Sequence, residues 1–239
     1  MARNVSGGRV SRHAPNPRAI LLDALGTLVA LQPPAPRLRA ELADRFAVNI
    51  SLAEATRAIA AEIAYYRSHL DQGRDDSGLR ALRHQCAIAL QAELPQQAAS
   101  LPIELLTEAL LAALAFSAFD DVLPALVAAR SHGIRLVVVS NWDVSLHDVL
   151  SRLGIAPMLD GIVTSAECGS RKPDPAIFRR GLAFAGVPAA DAIHVGDSVE
   201  EDIAGARSAE IEPVLIRRDG GPGPPGTRTI GSLSELAVT

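Results

Sequence analysis

From about residue 120 onward the chain alternates short branched-aliphatic runs with stretches of 3.6-residue apolar periodicity, and no other feature limits its fold as much. The runs are IRLVVVS (134–140), GIVTS (161–165), AIHVGD (192–197) and EPVLIR (212–217). Between them lie DVLPALVAARSHG, DVSLHDVLSRLG, DPAIFRRGLAFAG and SVEEDIAGARSAE. Continuous aliphatic runs suit parallel strands buried on both faces, and strand–helix alternation implies βαβ units. The helix ends agree. Gly133 and Gly154 stand where C-caps do, and Asp174-Pro175 offers an N-cap and an N1 proline. DGGPGPPG (219–226) reads as a loop, and SLSELA as a final helical turn.

One more strand signal precedes this series: AILL (19–22), ended by Asp23 and followed by Gly26-Thr27. Roughly residues 35–116 separate it from its partners, and they read as four helices without a strand. Ser51 and Glu54 form a capping-box pattern, Ser77 opens another helix, and Pro102 stands near a further helix start. The first strand can join the later sheet only if this bundle is an insertion. The expected fold is therefore α/β: a doubly wound, Rossmann-like parallel sheet with an inserted helical-bundle cap domain. Its divisions are a mobile tail at 1–17, a core at 18–31 plus 117–239, and a helical cap at 32–116.

Composition narrows the partners. A net charge of −4 and the lack of a basic block argue against nucleic acid. The longest apolar stretch in the inserted region, ALLAALAF, is far short of a membrane span. The arginines before residue 19 mimic a signal peptide, but Asp23 sits inside the apolar run and no A-x-A site closes it. Cys86 and Cys168 are far apart and match no ligand spacing, as expected of reduced thiols in a cytoplasmic protein. The alanine- and leucine-rich helices would cover either the core or a second copy, which leaves a homodimer open.

Ligands of doubly wound sheets bind at the carboxyl ends of the strands. The residues there are Asp23, Ser140-Asn141, Arg171-Lys172 and Gly196-Asp197. Converging carboxylates repel one another and call for a cation, and oxygen ligands suit Mg²⁺. A lysine with hydroxyl and amide donors suits an anionic substrate, phosphate above all. One carboxylate could then attack phosphorus and carry it as an aspartyl-phosphate.

DALGT, VVSNWD, RKPDPAIF and HVGDSVEED resemble, in order and spacing, the four signature motifs of the haloacid dehalogenase (HAD) superfamily. The resemblance covers nearly all of the chain after residue 18, and the inserted bundle is similar to that superfamily's C1-type cap. It implies a phosphatase-like hydrolase acting on a small phosphorylated metabolite, with Asp23 as nucleophile. It further implies Mg²⁺ held by Asp23, the Leu25 carbonyl and Asp197, and substrate phosphate bound by Ser140, Lys172 and the amide of Asn141. Asp202 and Thr27 would support the site. Asp143 reads as the N-cap of the helix after SNW, Ser198 and Glu201 as a capping box, and His194 as a packed core histidine. Trp142 suits core packing and substrate contact equally. Tyr66, Arg67 and His69 are candidates to face the substrate from the cap, against the plainer reading of buried aromatics and surface charge.

Leu25 departs from the pattern. Phosphatases of this superfamily usually carry there an aspartate that protonates the leaving oxygen, and a leucine transfers no proton. Three readings follow. The preferred one is a Mg²⁺-dependent phosphatase with a substitute proton donor, or one restricted to activated leaving groups such as acyl or aryl phosphates. The second is a metal-independent 2-haloacid dehalogenase-type hydrolase, in which halide leaves unprotonated. The third is a non-catalytic phospho-ligand-binding protein.

Overall fold

The computed structural model describes residues 17–236, so the tail expected at 1–17 lies outside the described residues except for Pro17. The elements run β1 (Ala19–Leu22), β2 (Val29–Leu31), α1 (Pro34–Phe46), α2 (Leu52–His69), α3 (Asp76–Ala92), α4 (Gln96–Ala99), α5 (Ile103–Ala113), β3 (Phe116–Ala118), α6 (Val122–Ser131), β4 (Arg135–Ser140), α7 (Leu146–Arg152), β5 (Gly161–Thr164), α8 (Ser165–Cys168), α9 (Pro175–Ala185), β6 (Ala192–Gly196), α10 (Ala204–Ser208), β7 (Glu212–Ile216) and β8 (Arg228–Ile230). The main sheet has the order β5-β4-β1-β6-β7-β8, and every pairing in it is parallel. Its outer strand β8 falls within a stretch whose composition announces only turns.

The period-two alternation of the strands sorts the core onto two faces. Ile20, Leu22, Leu136, Val138, Ile193 and Val195 pack with α6 and α7, while Leu21, Val137, Val139 and Phe178 pack on the α9–α10 side. A third apolar cluster, including Leu38, Leu42, Ile59, Leu82, Leu90 and Leu106, lies wholly within α1–α5. The helical unit therefore buries its own apolar faces rather than borrowing the sheet. The four long helices start and stop close to where the pattern puts them. Ser51 and Glu54 complete their capping box, and Asp75 rather than Ser77 caps α3, accepting from the amides of Ser77 and Gly78.

Two local expectations fail. Phe116 belongs to β3, not to the end of a helix. It pairs with Leu31 in an antiparallel β2–β3 ladder that carries both crossings between sheet and helices. Gln32 Nε2 donates to Ser117 Oγ across this ladder at 2.6 Å. The helix expected through 198–210 begins instead as a π-helical turn, Val199–Ile203, before α10. Among the described residues no helix is long and apolar enough to cross a membrane.

Candidate active site

β1 lies between β4 and β6, with Leu22 level with Val138 on one side and Val195 on the other. Asp23, Ser140 and Asp197 therefore emerge at one edge of the sheet. Asp23 is buried, at 5% exposure, and its Oδ1 accepts bonds from Ser140 Oγ at 3.0 Å and Lys172 Nζ at 2.5 Å. Both bonds fall on Oδ1, which leaves Oδ2 as the oxygen free to face a ligand.

Lys172 is buried and bridges two carboxylates. It also donates to Asp202 Oδ1 at 2.6 Å. Asp202, expected to play a supporting part, thus sits at the centre of the network. It bonds His194 Nε2 at 2.8 Å and accepts from the Ser198 amide at 3.1 Å. The π-helical turn brings it there, because Asp202 and Ile203 both donate to the Ser198 carbonyl. The capping box foreseen for Ser198 and Glu201 is only half made. Ser198 Oγ accepts from the Glu201 amide, but the Ser198 amide goes to Asp202 and the Glu201 carboxylate turns to Asn141.

The Asn141 side chain is committed elsewhere than to a substrate. Its Oδ1 accepts from the Lys172 amide at 2.7 Å, and its Nδ2 donates to the Lys172 carbonyl at 3.1 Å and to Glu201 Oε2 at 2.9 Å. Asn141 holds the Lys172 backbone, so only its main-chain amide is left for phosphate. Thr27 is fully buried, its Oγ1 has no partner, and its carbonyl accepts from Arg218. Leu25 projects its side chain to solvent, at 40% exposure.

The electrostatics follow from this crowding. Burial and the neighbouring Asp202 outweigh Lys172 and raise the Asp23 carboxyl above its usual range. Burial would raise Asp202 too, but Lys172 and His194 outweigh it and hold it well below that range. Burial would lower Lys172, yet the two carboxylates hold it firmly protonated. Asp197 stands at the open rim without a cationic side chain bonded to it. Partial burial of its carboxyl, then the charges of Asp23 and Asp202, push it up to about 7.

Carboxylate oxygens of Asp23, Asp197 and Asp202 lie within 4.8 Å of one another. An all-oxygen set with excess negative charge fits a hard divalent cation. The backbone is shaped around these groups. A Cβ at Gly26, where φ is +84°, would stand 2.1 Å from Asp197 Oδ2, and one at Gly196 would stand 2.1 Å from Asp202 Cγ. Glycine is required at both places because the chain passes directly against a carboxylate.

Other candidates lie outside this network. Trp142 is buried against Phe116, ring centroids 5.2 Å apart, and packs in the core. Asp143 caps the turn before α7 by accepting from the Ser145 amide. His69 stacks on Tyr65 and bonds its carbonyl, so it turns back on its own helix. Arg67 offers only its carbonyl, to Arg171. Tyr66 reaches furthest, its buried hydroxyl against Asp143. Sequence reasoning missed His194 and Glu201 as parts of the site. For His194 a signal existed, a polar residue on the buried face of β6; for Glu201 there was none.

The chain has counterparts among known proteins. The haloacid dehalogenase-like hydrolase family description matches residues 17–210, and the chain belongs to that family of hydrolases. It is 40% identical over 87 residues to haloacid dehalogenase-like hydrolase domain-containing protein 3 of Bos taurus, covering 36% of this chain and 35% of that protein. It is 39% identical over 101 residues to a glyceraldehyde 3-phosphate phosphatase of Methanopyrus kandleri, covering 42% and 43%. The chain thus spans well under half the length of these curated relatives. A solved 2-haloacid dehalogenase from Pseudomonas syringae superposes with a TM-score of 0.64 at 24% identity, covering 92% of this chain and 96% of that one; this likeness concerns the fold alone.

Proposed function

We propose that this protein is a Mg²⁺-dependent phosphatase that forms an aspartyl-phosphate on Asp23 and acts on a small phosphorylated metabolite. The observation that carries the reading is the rim's charge pattern. The single charge of Lys172 is shared between Asp23 and Asp202, and Asp197 faces the same space with no cationic side chain bonded to it among the described residues. Three converging carboxylates that share one lysine leave excess negative charge, which a divalent cation would offset. Asp23, the Leu25 carbonyl and Asp197 would hold the ion, with Asp202 supporting it. When bound, Mg²⁺ would neutralise phosphoryl oxygens so that an anionic nucleophile can approach them.

The chain's own residues do the rest. Asp23 Oδ2 attacks phosphorus, the bond from phosphorus to the leaving oxygen breaks, and the electron pair departs with that oxygen. Before substrate arrives Ser140 and Lys172 hold Asp23 through Oδ1. On phosphate binding the single Ser140 hydroxyl proton would turn to a phosphoryl oxygen, and Lys172 would give its third N–H. Water then attacks the phosphorus of the acyl phosphate, releasing inorganic phosphate and restoring the Asp23 carboxylate. Leu25 supplies no proton, so the preferred substrates are acyl and aryl phosphates, whose leaving groups depart as stable anions. The helical unit 32–116 acts as the cap, and the phosphatase name of the Methanopyrus kandleri relative agrees with the reaction class. We place the enzyme in the cytoplasm.

Leu25 also favours a second reading, a metal-independent 2-haloacid dehalogenase, since halide needs no proton. A panel of acetyl, p-nitrophenyl and alkyl phosphates and 2-haloacids, each with Mg²⁺ or with chelator, separates the two. Mg²⁺-dependent phosphate release from the first two substrates is the expected result. Halide release that survives chelation, without phosphatase activity, overturns it. Phosphate binding without turnover of any substrate would instead mark a phospho-ligand-binding protein.

A further inference from the structure

Arg218 lies just beyond the carboxyl end of β7, on the site's side of the sheet but outside the network described above. Its Nη1 donates to Asp121 Oδ2 at 2.6 Å, and its Nη2 donates to the Thr27 carbonyl at 2.5 Å. Its guanidinium lies over the Phe119 ring, 4.2 Å from the centroid. Phe119 in turn donates its amide to the Leu28 carbonyl at 3.2 Å. The same Asp121 oxygen also accepts from Ser232 Oγ and the Leu233 amide, both at 2.7 Å. One side chain thus joins the segment after β8, the start of α6 and the turn that follows Asp23.

That turn is tightly wound. The Ala24 carbonyl accepts from the amides of Thr27, Leu28 and Val29, and Gly26 donates to Val29. The turn presents the Leu25 carbonyl and lays Gly26 against Asp197, then runs directly into β2 at the crossing to the helices. Leu25 is its exposed residue, whereas Ala24, Thr27, Leu28 and Val29 are buried. We propose that Arg218 is a positioning residue: it clamps the 24–29 turn onto the core so that the Leu25 carbonyl and the start of the β2–β3 crossing are set before substrate arrives. Planar, forked donors suit this task, because the two targets lie in different segments and an ammonium reaches only one. The consequence for metal rests on the phosphatase reading; the ordering of the turn does not.

The test compares the full-length protein with R218M and R218K by hydrogen exchange and calorimetry. In R218M, exchange in peptides covering 24–31 is expected to rise about tenfold while the α2 and α3 peptides keep their rates. R218K, which retains charge but not the fork, is expected to fall between. Mg²⁺ affinity, titrated calorimetrically, is expected to weaken about three- to tenfold in the same order. If R218M unfolds, R218K and D121N carry the comparison. Unchanged exchange across 24–31 in the folded variants overturns the clamp. A parent protein that binds no Mg²⁺ while R218K still loosens the turn overturns the metal reading and upholds the clamp.

Discussion

Two buried polar clusters treat their carboxylates in opposite ways. At the sheet's rim Asp202 is 1% exposed, yet Lys172 and His194 keep it ionised. Inside the helical unit Glu62 is 4% exposed, and burial pushes its carboxyl up to about 7, opposed only by the Cys86 thiol. Burial raises the Cys86 thiol as well, and Glu62 and Asp143 add to it. Tyr66, also buried, keeps its proton well above the ordinary range, with Asp143 facing it. Depth is similar in the two places, and the difference is an opposite charge within hydrogen-bonding distance. A buried acid with a lysine beside it can work as an anion, whereas one beside a thiol, with no cation bonded to it, holds its proton up to about pH 7.

The largest expected effect lies on the charged side. Asp23→Asn removes the attacking oxygen, and phosphatase activity should fall on the order of 10⁴-fold or more. Steady-state rates on p-nitrophenyl phosphate check this, and residual activity above about one hundredth of the parent would remove Asp23 from the mechanism.

Lys172→Met breaks the pairing itself. It leaves two buried carboxylates facing each other, and losing one partner of a buried ion pair costs roughly 3–5 kcal/mol. Urea denaturation with chelator present should show a loss in that range, and Asp202→Asn in the same chain should recover part of it. A change under about 1 kcal/mol would mean that the rim needs no cation, and the contrast with the helical unit would vanish.

The uncharged side is probed by pH. In the folded chain Glu62 keeps its proton up to about pH 7, whereas unfolded it releases it near its ordinary value of 4.5. Between those values the native state binds the extra proton, so this group's contribution is complete below about 4.5 and is lost as pH rises towards 7. At roughly 1.4 kcal/mol per pH unit the loss amounts to about 3 kcal/mol. Glu62→Gln should flatten that part of the stability curve and match or exceed the parent at pH 8. A parent curve already flat from pH 5 to 8 would show Glu62 ionised, and the opposite charge at the rim would no longer separate the clusters.

The core was more legible in the sequence than the site's wiring, for a physical reason. Strand and helix periodicities repeat over many residues, so β1, β4, β5, β6 and β7 and the long helices could be read from pattern. The short β3 and β8 carry too few residues to show a period, and they form because neighbours offer unpaired backbone. Asp23, Ser140, Lys172, Asp197 and Asp202 follow from strand ends and motif spacing, and they do converge. The diversion of the Asn141 side chain to Lys172, and of Glu201 to Asn141, depends on how two loops meet. A π-helical turn places Asp202 more centrally than its position in the motif suggested. Such contacts join segments 30 to 60 residues apart and leave no local trace.

The smallest effect concerns the residue that sets the chain apart from ordinary phosphatases. Leu25 is 40% exposed, and its backbone is held by pairing with Val29 and the turn's own hydrogen bonds. Leu25→Asp should therefore leave the fold intact, with a change in stability within about 0.5 kcal/mol. On the proposed phosphatase mechanism a carboxyl at this position would supply the proton that the leaving oxygen lacks. General acid catalysis contributes about 10²–10⁴-fold where the donor is well placed. A group introduced without a tuned environment should give no more than the low end of that range, about 10–100-fold, on alkyl phosphates. Acetyl and p-nitrophenyl phosphate, which need little protonation, should change by less than about threefold. The ratio of the two gains is the measurement. An equal rise on all substrates would mean that Leu25 acts through shape, and no rise on alkyl phosphates would mean that another residue already donates the proton.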